Sequence, residues 1–207
     1  EDIVNTENIN EIRALSSGDK LAFSVKEKVE AKKLISELSK STRMFPRFKS
    51  VSEFEFVYIK DTYIGGDEDM TIDTKDIIKY SFTRTPIEKV KTIVNVKYKI
   101  DYENDEFTRS TGYIDGYDTF GNGDGNNLFE GRENGYSYEY LGLEREDNVL
   151  EFESDYIRDR ASAEYFRNFI YLNSCNQHTT MKVRFPIKYS YLEAGDVIRF
   201  DSIINET

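Results

Sequence analysis

Tryptophan is absent from this chain, cysteine and histidine occur once each, and proline occurs three times. The single cysteine, Cys175, excludes an internal disulfide framework. Without four spaced Cys/His ligands there is no zinc motif either. No apolar run approaches the roughly 18 residues of a membrane span, and none reads as a signal peptide. A phosphate loop and a dinucleotide fingerprint are missing too: "GNGDGNN" lacks the Lys-Ser/Thr ending and the strand-to-helix setting. The first residue is Glu1 rather than Met, so a processed product or an excerpt of a longer chain is expected.

What is present is aromatic and acidic. Fifteen tyrosines and 14 phenylalanines carry the bulky packing, which favours strands over a Leu/Ala bundle. At 207 residues the chain is long enough for one large domain or two small lobes. The net charge of −11 is concentrated: residues 101–160 hold 17 Asp/Glu against 5 Lys/Arg, and the remainder is nearly balanced. That segment is a poor surface for nucleic acid, because phosphate contacts need Lys and Arg.

Periodicity predicts an α+β fold, mainly antiparallel β, with two helices. The first helix is expected from Ser24, with Glu27 completing a capping box, to Lys40; Ala31, Leu34, Ile35 and Leu38 form its apolar stripe. "FEFVYIK" alternates as a strand, and "TIVNVKYKIDY" places Val94, Val96, Tyr98, Ile100 and Tyr102 on one face of a half-buried antiparallel strand. "VLEFES" reads as a further strand. The second helix is "DRASAEYFRNFIYL", capped by Asp159, with Ala163, Phe166 and Ile170 inward. "TMKVRF" then alternates, and "YLEAGDVIRF" is a tight turn at Gly195 followed by a strand. A glycine-rich insertion at 112–142 holds eight of the twelve glycines.

Inside that insertion, Asn122, Asp124, Asn126, Glu130 and Glu133 occupy positions 1, 3, 5, 9 and 12 of a calcium-loop window. Position 1 is Asn rather than Asp, position 6 is Asn127 rather than Gly, and no helices flank the window. A polar connection between strands is therefore preferred to a metal site. Cys175 and His178 are close in sequence, but a thiol–imidazole pair also needs an orienting group and an oxyanion donor. Glu151, Glu153, Asp155 and Asp159 supply carboxylates without fixing any two at a hydrolase separation. No catalytic residue and no cofactor is expected.

A resemblance enters in the last third. "ASAEYFRNFIYLNSCNQHTTMKVRFPIKYSYLEAGDVIRFD" resembles a stretch of bacteriophage tail hub and tail-tip structural proteins, those of marine phages included. In them a helix leads to a strand and then to an "L-E-x-G-D-V-I" turn, here Leu192, Glu193, Gly195, Asp196, Val197 and Ile198. "DIIKYSFTRTPIEKVKTIVNVKYKIDY" is similar to a strand of those proteins, and "AKKLISELSKSTRMFPRF" with "FEFVYIK" to their helix-plus-hairpin lobe, so the likeness spans about residues 28–203. The resemblance implies a helix-plus-hairpin lobe over residues 1–80, a β-barrel-like lobe over 81–207 with one helix and the 112–142 insertion, and a non-enzymatic virion component. Its partners would be itself, as a homo-oligomer of which a trimer is the common form, and other tail proteins. It implies neither direct nucleic-acid binding nor a membrane segment, and a soluble chain outside the particle. It makes Gly195 and Asp196 a structural turn that closes the barrel. The alternative from a different class is a calcium- or carbohydrate-binding adhesion module built on Asn122, Asp124, Asn126 and the surrounding tyrosines.

Overall fold

The computed structural model describes residues 4–16, 19–25, 28–49, 53–60, 62–115 and 148–201. Among them are α1 (Thr6–Leu15), α2 (Ala31–Lys40) and α3 (Arg160–Ser174). The strands are β1 (Met44–Phe48), β2 (Phe54–Tyr58), β3 (Met70–Ile72), β4 (Lys79–Arg84) and β5 (Ile93–Asp101), then β6 (Glu106–Ser110), β7 (Ile114–Asp115), β8 (Val149–Glu153), β9 (Thr179–Arg184) and β10 (Ile198–Phe200). They divide into two compact units. The helix-backed unit is Ser16–Arg43 with Thr85–His178, and the ribbon unit is Glu1–Leu15 with Met44–Arg84 and Thr179–Thr207. The units are interleaved along the chain, whereas the resemblance implied one division after residue 80.

In the helix-backed unit β5 is central. Ile93 pairs with both Asp115 of β7 and Val149 of β8, which puts those strands on opposite edges. β6 and β7 run antiparallel to β5, and β8 runs parallel to it. Strand alternation sends Val94, Val96, Tyr98 and Ile100 to one face, all buried. α3 covers that face because its 3.6-residue stripe is apolar: Ala163 and Phe166 pack with Val96 and Tyr98, and Tyr171 and Cys175 pack with Val94. The helix starts where expected, since the Asp159 carboxylate accepts from the Ser162 amide at 3.2 Å. Each large side chain buried in this contact contributes about 1.5–3 kcal/mol.

The other face of β5 is polar and only partly solvated: Lys99 is exposed, but Asn95 and Lys97 find partners within the sheet. Asn95 is buried, and its carbonyl oxygen accepts from Ser110 Oγ at 2.7 Å and Thr111 Oγ1 at 3.2 Å. Lys97 is held by Glu151 at 2.8 Å and Glu153 at 3.2 Å. Neighbours on both edges supply these partners, so the strand tolerates polar groups that alternation alone assigns to water.

The ribbon unit is built from pairs of strands. β1 and β2 form an antiparallel hairpin, β10 and β3 a parallel pair, and β4 and β9 an antiparallel ribbon. The N-terminal segment occupies the second edge of β2. Val4 bridges to Phe54, and the Asn8 side chain imitates a strand, donating to the Phe56 carbonyl at 3.0 Å and accepting from the Phe56 amide at 2.9 Å.

Several expectations are corrected. The fold is α+β, but it has three helices among the described residues rather than two, its small sheets are mixed, and no barrel closes. Parallel pairing of β8 with β5 and of β10 with β3 is the reason, because neither arrangement continues an antiparallel meander. The turn at Gly195 therefore leads into a parallel pair instead of sealing a barrel. α2 begins at Ala31, with Glu30 at its N-cap, so Ser24 is not its cap. No helix among the described residues is long and apolar enough to cross a membrane.

Candidate functional site

Glu193–Asp196 is a tight turn in which the Asp196 amide donates to the Glu193 carbonyl at 3.2 Å. Gly195 has φ +101°, and a Cβ there would lie 2.7 Å from Phe45 Cζ and 2.9 Å from Val57 Cγ2. Only glycine meets both demands, the left-handed backbone and the close approach to the β1–β2 hairpin. Asp196 accepts from the Glu193 amide at 2.8 Å, which closes the turn on itself. Its other oxygen pairs with Arg47 Nη1 at 2.8 Å, and the same nitrogen donates to the Ala194 carbonyl at 2.8 Å. Arg47 also pairs through Nε with Glu55, its cross-strand partner, and Lys49 reaches Glu55 at 2.8 Å.

This group is an ionic clasp of two cations and two anions. Glu55 is 2% exposed, so its charge survives only because it is paired. Burial pushes its carboxyl upward, but hydrogen bonds from Lys49 and Arg47 outweigh burial and hold it below the usual range. For Asp196 burial likewise acts upward, and the Glu193 amide and Arg47 bring the net shift down. Arg47 and Lys49 hold the Glu55 carboxylate, and Arg47 with the Glu193 amide holds that of Asp196, an arrangement suited to holding a turn.

One solvent-facing feature of the same unit is the β4–β9 ribbon. All six residues of β4 are exposed. Register pairs Tyr80 with Val183 and Phe82 with Met181, so these four side chains share one face. The Tyr80 and Phe82 rings meet edge to face at 5.6 Å, yet they remain 52% and 44% exposed, and Ile78 just before them is 62% exposed. The twelve ribbon residues include Lys79, Arg84, Lys182 and Arg184 and no acidic residue. None of these four cations has an ion-pair partner among the described residues. A two-stranded ribbon is marginal in water, and among the described residues no further strand pairs with either of its edges. The ribbon was not legible as a surface because "KYSFTR" is too short and mixed to stand out; its freedom from acidic residues in so acidic a chain was the available signal.

The other sequence candidates resolve as follows. Asn122, Asp124, Asn126, Glu130 and Glu133 lie outside the described residues. Among the described residues no cluster of His, Cys, Asp or Glu is arranged to hold a metal ion. Cys175 is buried at the C-terminus of α3, near the Asn176 amide, while the His178 ring engages the Asn173 carbonyl. Glu151 and Glu153 do meet, but on Lys97. Asp159 is the α3 cap, and Asp155 has its carboxyl raised by burial and then by Asp105, Glu37 and Glu153. Sequence comparison adds no relative to this geometry: no protein-family model matches the chain, and no curated protein matches it.

Proposed function

We propose that the chain is a non-catalytic structural module that assembles with copies of itself and with neighbouring proteins, in the manner of the phage tail hub and tip proteins it resembles. The observation that supports this best is the exposed β4–β9 ribbon, with Tyr80 and Phe82 side by side in water. Leaving two aromatic rings half-exposed on a marginal ribbon is costly for an isolated chain, and covering them is worth about 25 cal/mol per Å² of apolar surface. Open edges add backbone donors and acceptors that a second strand can satisfy. Charge selects the partner. Four unpaired cations on the ribbon attract a surface of opposite sign, and a chain of net charge −11 supplies one. The occupant is therefore a second copy, arranged in a closed ring of the kind a virion tail uses.

Sedimentation velocity across a concentration series tests this reading. The wild-type chain is expected to form a discrete oligomer that a Tyr80→Ser/Phe82→Ser variant cannot form. A monomer at every concentration, or an oligomer indifferent to the double substitution, would overturn it.

A further inference from the structure

A second cationic feature lies in the helix-backed unit. Tyr98, Lys99, Arg109, Ser110, Arg158, Asp159 and Arg160 line an open cleft of about 380 Å³. Residues 101–160 hold 17 acidic and 5 basic side chains, and three of those five, Arg109, Arg158 and Arg160, converge there with Lys99.

Backbone geometry makes the cleft. The β5–β6 ladder pairs Tyr98 with Arg109 and Ile100 with Phe107, but it skips Lys99. Lys99 sits instead at φ 59°, and its amide donates to the Ile157 carbonyl at 2.9 Å. A lysine in the left-handed region costs about 1 kcal/mol, and such outliers concentrate at binding sites. The turned-out residue ties β5 to the segment entering α3, so Arg158 and Arg160 come up beside Lys99 and Arg109.

Internal partners neutralise only part of this charge. Arg160 pairs with Glu164 at 2.7 Å, and the Asp159 carboxylate is engaged by Ser162. Arg158 donates one Nη1 bond to the Ile100 carbonyl and lies over the Tyr102 ring at 4.7 Å, which leaves its cation without a counter-ion among the described residues. Lys99 and Arg109 have no side-chain partner among the described residues. Lys99, Arg109 and Arg158 outnumber the one carboxylate in the lining, Asp159, and an added anion offsets the repulsion that remains among them.

We propose that this cleft is a binding site for a tetrahedral oxyanion, the phosphoryl or sulfuryl group of a ligand. Three cations approaching from two strands and a helix start match a group of two charges with oxygens in several directions. A carboxylate would engage only one guanidinium fork.

Titrating the full chain with inorganic phosphate, sulfate and acetate, followed by ¹H–¹⁵N correlation spectra, tests the site. Phosphate or sulfate should give saturable shifts at the Lys99, Arg109 and Asp159 amides, and whichever saturates at lower concentration identifies the source chemistry. Acetate should bind about tenfold more weakly. Arg109→Gln and Lys99→Gln should each weaken binding by about tenfold. Lys75→Gln removes the same charge from an exposed position in the ribbon unit and should leave the affinity unchanged. Both cleft positions are exposed, and retained dispersion of the remaining amides would confirm a folded chain. No saturable shift overturns the proposal, as does acetate binding as tightly as the tetrahedral ions, or equal weakening by Lys75→Gln.

Discussion

The two units solve the same problem with different materials. The helix-backed unit lays an apolar helix stripe on the central strand of a four-stranded sheet, and its stability resides in buried carbon. The ribbon unit has no sheet wider than two strands among the described residues, and it relies on an ionic clasp and an imitated strand edge. A unit that keeps little apolar surface for its own core has more to offer a partner. In this reading the helix-backed unit carries the fold and the ribbon unit carries the assembly.

The sharpest way to break the comparison is to exchange the kinds of damage. Phe166→Ala empties the contact between α3 and β5 and should cost about 3–5 kcal/mol, read as a lower urea midpoint. Glu55→Ala leaves Arg47 and Lys49 without their shared partner and should cost about 3 kcal/mol, seen as faster amide exchange in β1 and β2 but not in β5. The clasp should also respond to acid. The carboxyls of Glu55 and Asp196 are held below their ordinary values, so their contribution is complete above about pH 4.5 and is lost as pH falls through the lower folded values. Exchange from β1 and β2 should therefore rise on acidification before that of β5, and Glu55→Gln should flatten the dependence.

Much of the helix-backed unit was legible because its signals are redundant. The stripe of Ala163, Phe166 and Ile170, the Asp159 cap and the alternation from Val94 to Ile100 each imply the same packing. α1 escaped notice because "TENINEIRAL" is rich in Asn, Thr and Ile, which are weak helix formers. Its start signal was nonetheless present, since Asn5 Oδ1 accepts from the Asn8 amide at 2.9 Å. The Gly195 turn was legible from its glycine, but its partner Arg47 stands about 150 residues earlier, and no local pattern reaches that far. The cationic cleft was hidden for a related reason. Lys99, Arg109, Arg158 and Arg160 come together only through a broken ladder and a helix start.

Smaller effects sharpen the contrast further. Gly195→Ala should destabilise the ribbon unit by about 1–3 kcal/mol, through a strained φ and a clash with Phe45 and Val57. Local exchange in β1 and β2 would report it, with α3 unaffected. Lys99→Gly should act in the opposite direction, stabilising the helix-backed unit by about 1 kcal/mol by relieving its left-handed backbone. A higher thermal midpoint would confirm this.

The most direct measurement is hydrogen exchange of the ribbon amides at low and high protein concentration. If the ribbon is the assembly surface, amides of Lys79–Arg84 and Thr179–Arg184 should gain protection as concentration rises, while those of β5 stay unchanged. Ribbon amides that exchange at one rate throughout the range, whether or not the chain associates, would contradict the account.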